Sequence, residues 1–419
     1  MRTPTRRLFL GAGIAGGAAL VAGCSDDDPS SDADPSASAA PDPGVWDPQD
    51  WDSVRAQFLL DPDLAQFAAF VLSPHTHLLD AAIADHRDRL GRDTEDALHS
   101  GQANEQAVRD AAAAFAGGDP SQYALTDSTT MGIATMYGGL TLREGDEVLT
   151  TTHDFFSTED ALRLLELRTG AKVTRIDLYD DPAAATVDDM TKRLLDAVTP
   201  NTRVVALTWV HCSTGVRVPV QEIAAELRDD VTLCVDGVHG FAAVDVDLPD
   251  LGCDFLASGT HKWLFGPRGT GILWARDWEP LTELIPSFSG PDGPARLTAG
   301  GYQAFEHQWA AKDGFEFQQS IGRARVVERT VEQASQLKEG LGGIDGLTVV
   351  TPTDPAVSAG IVCVDVAGML PANAVLELRT RGVVASATPY QRSYLRLGPS
   401  IATSPDQVDQ AIAALQEIA

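Results

Sequence analysis

Cysteine is scarce: the chain carries five in 419 residues, at positions 24, 212, 234, 253 and 363, and no CxxC pair among them. That spacing excludes a thiolate-rich zinc site and a dithiol redox motif. A chain of this size also has no need of disulfide staples, so Cys212, Cys234, Cys253 and Cys363 read as buried free thiols. Basic residues are short too, 31 against 60 acidic ones, for a net charge of −29. A field of that sign repels nucleic acid and anionic membrane surfaces, and neither is expected as a partner. A small anionic ligand would need a local basic or amide-rich seat. No hydrophobic run is convincing as a membrane span, because the apolar stretch ending at Ala22 is short and rich in glycine. A dinucleotide fingerprint is missing as well. Gly11-x-Gly13 lies in the leader, and no glycine-rich turn with a downstream acid follows Leu125 or Glu147, which speaks against a nicotinamide dehydrogenase. His75-Thr76-His77 lacks a third ligand at helical spacing and reads as loop.

What is present begins with an address. Thr5-Arg6-Arg7-Leu8-Phe9-Leu10 looks like a twin-arginine export signal, and Val21-Ala22-Gly23-Cys24 resembles a lipobox whose cysteine takes the lipid. Residues 1–24 are therefore set apart as a leader. Residues 25–45, rich in Asp, Ser, Ala and Pro, form a tether without apolar periodicity. The expected location is the outer face of the cytoplasmic membrane, with contact to lipid only through Cys24. Twin-arginine export carries folded proteins, which suits an enzyme that collects its cofactor inside the cell.

The whole chain is 44% hydrophobic, enough for a packed core. Leu78–Leu90 and Glu105–Phe115 have helical spacing of apolar residues. From Tyr123 onward short strands alternate with helices: strands at 123–125, 147–149, 172–176, 203–209 and 231–236, helices at 129–140, 158–167, 187–198 and 220–227. Such alternation predicts a mainly parallel sheet covered by helices, a three-layer α/β/α large domain. After Ile321 the character changes to a long helix up to Leu341, short strands near 347–350, 358–366 and 395–397, and a final helix over 405–418. This is a small α+β C-terminal domain. The division is a segment 46–100 packing with the small domain, a large domain 101–320 and a small domain 321–419.

Chemistry gathers at three places. Ser258-Gly259-Thr260-His261-Lys262-Trp263-Leu264-Phe265-Gly266 sets a lysine between apolar runs. A desolvated amine has a lowered pKa and condenses with an aldehyde. Taken alone, the same lysine reads more readily as one snorkelling past its neighbours. Thr126-Asp127-Ser128-Thr129-Thr130 lies where a strand meets a helix, either as a phosphate seat or as ordinary N-capping. Asp236 closes an apolar strand, placing its carboxylate in the crevice where open α/β sheets bind ligands. A buried carboxylate there needs a cationic partner, and a protonated pyridine nitrogen is one.

Together, in order, Thr126–Thr130, Gly145-Asp146-Glu147-Val148, Asp236-Gly237-Val238-His239, His261-Lys262 and Arg396-Leu397 resemble the class V aminotransferase family of fold-type I pyridoxal-phosphate enzymes. The resemblance runs from about Trp51 to the end. It implies pyridoxal 5'-phosphate as cofactor, a homodimer, and a small amino acid as substrate. Lys262 would join the cofactor aldehyde and shuttle the α-proton. Asp236 would hold the pyridinium, with His239 near the phenolic oxygen. Ser128, Thr129, Thr130, Thr260 and His261 would take the phosphate. Phe155 would cover the ring face, with His153 the alternative. Arg396 would clamp the substrate carboxylate with its fork.

Departures from the family pattern matter. Where many relatives have an asparagine before Gly215, this chain has His211-Cys212-Ser213-Thr214, so the phenolic-oxygen contact falls to Cys212, Ser213 or His211. The Gly-Thr pair that many relatives use to reach the phosphate across the dimer is replaced by Gly300-Gly301-Tyr302. No cysteine lies in 381–394, where desulfurases carry theirs, which speaks against a desulfurase. Trp209-Val210-His211, Gly259–Trp263, Phe305-Glu306-His307 and Arg396–Ser400 look most like the isopenicillin N epimerase-like proteins and the hercynylcysteine sulfoxide lyases. The expected reaction is C–S lysis or epimerisation begun by α-proton removal. Transamination is the alternative, as is a silent, lipid-tethered binding protein.

Overall fold

In a computed structural model, residues 46–419 are described, and the expected export signal, tether and lipid-bearing Cys24 lie outside them. The large sheet has seven strands: β1 (Tyr123–Thr126), β2 (Glu147–Thr151), β3 (Lys172–Ile176), β4 (Thr202–Thr208), β5 (Thr232–Asp236), β6 (Phe255–Gly259) and β7 (Gly271–Ala275). Their order is β1-β7-β6-β5-β4-β2-β3. Five of them run parallel in the stretch β6 to β3, while β7 is antiparallel to both β6 and β1. The reversal has a simple cause: the connection 260–270 contains no helix, and a parallel return needs a long crossover. β1, β2, β6 and β7 are buried along their whole length, as expected for a sheet covered on both faces.

The principal helices are α1 (His77–Arg92), α2 (Gly101–Ala116), α3 (Thr129–Gly139), α4 (Phe156–Thr169), α5 (Phe305–Ile321), α6 (Arg323–Leu341) and α7 (Pro405–Ile418). The strand Lys172–Ile176 and the helix Pro405–Ile418 fall where the pattern puts them; α7 is announced by Ser404 and Gln407, which form a capping box. Two of the longer helices are not announced. α5 carries buried residues on most of its surface, Gln308 and Gln318 among them, so no amphipathic stripe marks it. It is separated from α6 by Gly322 at φ 98°, a conformation that ends one helix and starts the next. Pro371–Thr380 is the other. His77 opens α1 instead of lying in a loop: Thr76 caps the helix through Leu79 N–H, and His75 bonds Asp80 at 2.7 Å.

A second sheet, β8 (Leu347–Val349), β9 (Val362–Val366), β10 (Ser386–Ala387) and β11 (Leu395–Leu397), is antiparallel in the order β10-β11-β9-β8. It carries its own apolar cluster with α6 and α7. The early strand Ala65–Gln66 pairs with Val383–Val384 in a separate two-stranded sheet, and Ala65 and Val383 join the same apolar cluster. Among the described residues no helix is long and apolar enough to cross a membrane.

Candidate active site

Parallel pairing of β5 with β6 sets Asp236 opposite Ala257, so Asp236 and the turn after Gly259 share the C-terminal edge of the sheet. That turn carries Lys262 and is tightly held. Phe265 sits at φ 60°, rare for a residue with a side chain, against Phe58 at 5.0 Å, while Gly266 N–H donates to Thr260 O. Facing this edge is a cavity of about 390 Å³. Ser128, Thr129, Thr130, His153, Phe155, Cys212, Asp236, His239, His261, Lys262 and Arg396 line it. They come from segments more than 260 positions apart in the sequence, brought together only by the fold.

Two expected residues are not among them. Thr260 is buried and turns its hydroxyl to Thr270 Oγ1 and Pro267 O, which pins the lysine turn instead of facing a phosphate. Ser213 lines a neighbouring cleft of about 280 Å³ with Tyr179 and Arg392. His211 is committed elsewhere too, accepting or donating at 2.9 Å with the Tyr179 hydroxyl. Of the three residues weighed for the phenolic oxygen, Cys212 is the one that lines the cavity.

Burial dominates the electrostatics. Asp236 is buried, receives Val238 N–H at 3.0 Å and the Thr158 hydroxyl at 3.3 Å, and has no salt bridge among the described residues. Burial pushes its carboxyl up to about 6. Lys262 is held below the usual lysine range, burial again being the main cause. Its Nζ lies 3.5 Å from His239 Nε2. An indole nitrogen only donates, so the 3.3 Å bond from Trp263 Nε1 makes His239 Nδ1 the acceptor. Burial holds His239 well below its ordinary value, so the ring is neutral and carries its proton on Nε2, toward the cavity.

Ser128 both caps α3, accepting from Met131 N–H, and donates to Asp127, so its hydroxyl is spent. The free amides of the first turn remain for an anion. Thr129 Oγ1 accepts from Gly259 N–H at 2.7 Å, locking the helix start to the lysine strand and keeping its own hydrogen free. His261 Nδ1 is buried without a partner. His153 stacks on Tyr179 at 4.4 Å, whereas Phe155 packs on Phe156 at 4.0 Å; both reach the cavity. Arg396 donates to Cys212 O (3.3 Å) and Ala387 O (3.1 Å), lies over the Phe70 ring at 5.2 Å, and has a buried Nε with no partner.

Four contributors escape the sequence reading. Asp154 is buried under hydrogen bonds from Thr150, Thr151 and Thr208 and adds its charge beside Asp236. Thr158 bonds Asp236, Phe70 supports Arg396, and Tyr390 lines the cavity. Only Asp154 had a visible signal, the hydroxyl pair Thr150-Thr151 just before it.

A buried carboxylate without a cation, an amine with depressed basicity, an open helix N-terminus and an unsatisfied guanidinium suit pyridoxal 5'-phosphate, so fold and cavity define a pyridoxal-phosphate enzyme. The chain belongs to the aminotransferase class-V family, whose profile matches residues 84–389. It is 26% identical to an isopenicillin N epimerase of Streptomyces clavuligerus over 401 residues, 88% of this chain and 98% of the relative. It is 28% identical to a probable cysteine desulfurase of Xylella fastidiosa over 58% of this chain and 61% of that one. Among solved structures, a C-DES variant with glycine covalently linked to its PLP cofactor superposes with a TM-score of 0.81. Identity there is 19%, covering 87% of this chain and 99% of that one.

Proposed function

We propose that the enzyme binds an α-amino acid by its carboxylate at Arg396 and removes the α-proton with Lys262, ending in epimerisation or in C–S bond cleavage. When bound, the cofactor supplies an aldehyde for the substrate amine and a sink for the charge left at the α-carbon. Asp236 would keep its ring nitrogen protonated, the first turn of α3 and His261 would take its phosphate, and His239 Nε2–H and Cys212 would face its phenolic oxygen. The observation that carries this reading is one cavity holding Lys262 Nζ, a cation-free buried Asp236 and an Arg396 with a spare donor. With His239 neutral, burial and the charge of Arg396 both hold Lys262 below the usual lysine range, which favours the free amine a base needs.

Epimerisation draws support from the near full-length match to an epimerase, and C–S cleavage from the shorter match to a probable cysteine desulfurase. Transamination is the remaining alternative. The test is to load the protein with the cofactor and follow its visible spectrum while amino acids are added. Pyruvate and ammonia from a cysteine S-conjugate identify a lyase, and α-deuterium with racemisation in D2O identifies an epimerase. A keto-acid-dependent half-reaction identifies a transaminase. A protein that gains no chromophore and ignores borohydride ends the whole reading.

We further propose export through Arg6-Arg7, lipid attachment at Cys24 and assembly as a homodimer. Export and attachment rest on the leader motifs alone; palmitate labelling lost in Cys24→Ala tests them. Exposed Leu284, Ile285, Phe288 and Tyr302 supply apolar area for a second copy. Light scattering reads the mass.

A further inference from the structure

The cavity side chains fall into two contact groups. One joins Lys262, His239, Trp263 and Phe70: Nζ to Nε2 at 3.5 Å, indole N–H to Nδ1 at 3.3 Å, and Phe70 stacked on Trp263 at 6.0 Å. The other joins Tyr390, Cys212 and Phe155. The Tyr390 hydroxyl is 3.1 Å from Cys212 Sγ, and its ring meets Phe155 edge-on at 6.4 Å. Arg396 touches both, lying over Phe70 and donating to the Cys212 carbonyl, so a carboxylate held there is within reach of each.

We propose that Tyr390 is a catalytic proton donor that reaches the substrate's α-carbon from the side away from Lys262, and that it so completes inversion there. The proposal rests on the reading of Lys262 as the α-proton base and deepens it toward epimerisation. Tyr390 is the one phenol lining the cavity. Burial raises it well above the ordinary phenol value, and burial raises the Cys212 thiol as well, so the two groups enter the reaction protonated. The other charges near the phenol are Arg396 and Asp154; His153, which also lines the cavity, is held neutral by burial.

The proton balance closes. Lys262 takes the α-proton as the Cα–H bond breaks. The electron pair left at Cα forms a new Cα–H bond with the Tyr390 proton from the other side, leaving a phenolate. The Cys212 thiol, 3.1 Å away, returns a proton to the phenolate, and solvent restores the thiol as Lys262 releases its proton. One proton leaves and one enters, and nothing is oxidised or reduced. Cys212 acts through Tyr390 and is a positioning and relay residue.

The test offers the nineteen chiral proteinogenic L-amino acids singly to cofactor-loaded enzyme in D2O, reading α-deuterium by NMR and configuration by chiral chromatography. The wild type is expected to give deuterium together with the D-enantiomer. Tyr390→Phe should keep deuterium incorporation within about threefold, because Lys262 still exchanges its face, while the D-enantiomer falls roughly 10²-fold or more. Cys212→Ser should retain part of the inversion and Lys262→Ala should lose both signals. Tyr390→Phe that inverts at the wild-type rate, or that loses exchange and inversion alike, overturns the proposal. Wild-type exchange without inversion overturns it while leaving Lys262 as the base; no exchange with any amino acid overturns both. A readout without cofactor accompanies these. In protein labelled with 13Cζ-tyrosine, the signal missing from Tyr390→Phe should remain that of a neutral phenol up to pH 10 and shift in Cys212→Ser. A phenolate below that pH rules the donor out.

Discussion

The indole N–H of Trp263 donates to Nδ1 of His239 across 3.3 Å, and this one bond sets which nitrogen of the imidazole faces Lys262. The residue following the lysine therefore orients the ring beside it. Trp263→Phe keeps an aromatic ring but removes the donor and part of the apolar volume, leaving a buried acceptor unpaired. The expected cost is about 1–3 kcal/mol of stability in urea titration. A mixed tautomer population should also appear as a new 15N signal at Nδ1.

Lys262→Ala should leave a folded protein that binds the cofactor reversibly and is not trapped by borohydride. Its α-proton exchange should fall by roughly 10²–10⁴-fold, the range for a lost general base. Exchange at the wild-type rate in D2O would assign the base elsewhere.

Asp236 ties cofactor affinity to pH. Its carboxyl is pushed up to about 6, against an ordinary 3.8. Between those values the folded, cofactor-free protein holds a proton that the unfolded chain has released. This group's contribution to stability therefore falls as pH rises from about 4 to about 6 and stays low above that. Asp236→Asn should thus stabilise the cofactor-free protein at pH 7.5, by on the order of 3 kcal/mol at most. The same variant should bind the cofactor weakly, and wild-type affinity should drop as pH falls through 6. Thermal melts with and without cofactor at pH 5 and 7.5 check all three.

Arg396 keeps its charge in Arg396→Lys but loses the planar fork. The substrate constant should rise with little change in turnover, lowering kcat/KM by roughly 10–100-fold. A fall in kcat alone would place the carboxylate elsewhere.

Lys338 is buried in the small sheet's core and donates to Pro352 O, Thr353 O and Ser358 Oγ at 2.9–3.2 Å. Burial lowers it to about 8. Between about pH 8 and 10.5 the unfolded chain holds the proton that the fold has released, so this group's contribution rises with pH there. Lys338→Met strands two buried carbonyls but also removes a charge that the fold disfavours at pH 7, so its signature is a flattened alkaline rise in denaturant titration.

Much of this site was legible because its parts are local. Asp236 and Lys262 each follow an apolar run that can only be a buried strand, and a polar group ending such a strand points at the crevice. The hydroxyl cluster at 128–130 marks a helix start. Phe70 and Tyr390 had no such mark: one lies in an irregular segment before α1 and the other in a loop before β11, and their roles arise from contacts across the fold. Thr260 and Ser213 lie outside the cavity for the complementary reason. Their residue types suited the cofactor, but Thr270 took the hydroxyl of the first and the turn at Gly215 carried the second to another cleft. Gly215 lies at φ 75° with Ile361 O where a side chain would go, so the loop has no other course.

Residue order alone determined the alternation of strands and helices, and with it the positions of the lysine, the aspartate and the phosphate-binding turn, because hydrophobic periodicity and capping act over a few residues. The tertiary structure alone decided which hydroxyls were left free, which tautomer His239 adopts and which phenol shares the cavity with Lys262. Those depend on distances between segments far apart in the chain, and a hydrogen bond exists only where the fold brings donor and acceptor within about 3 Å.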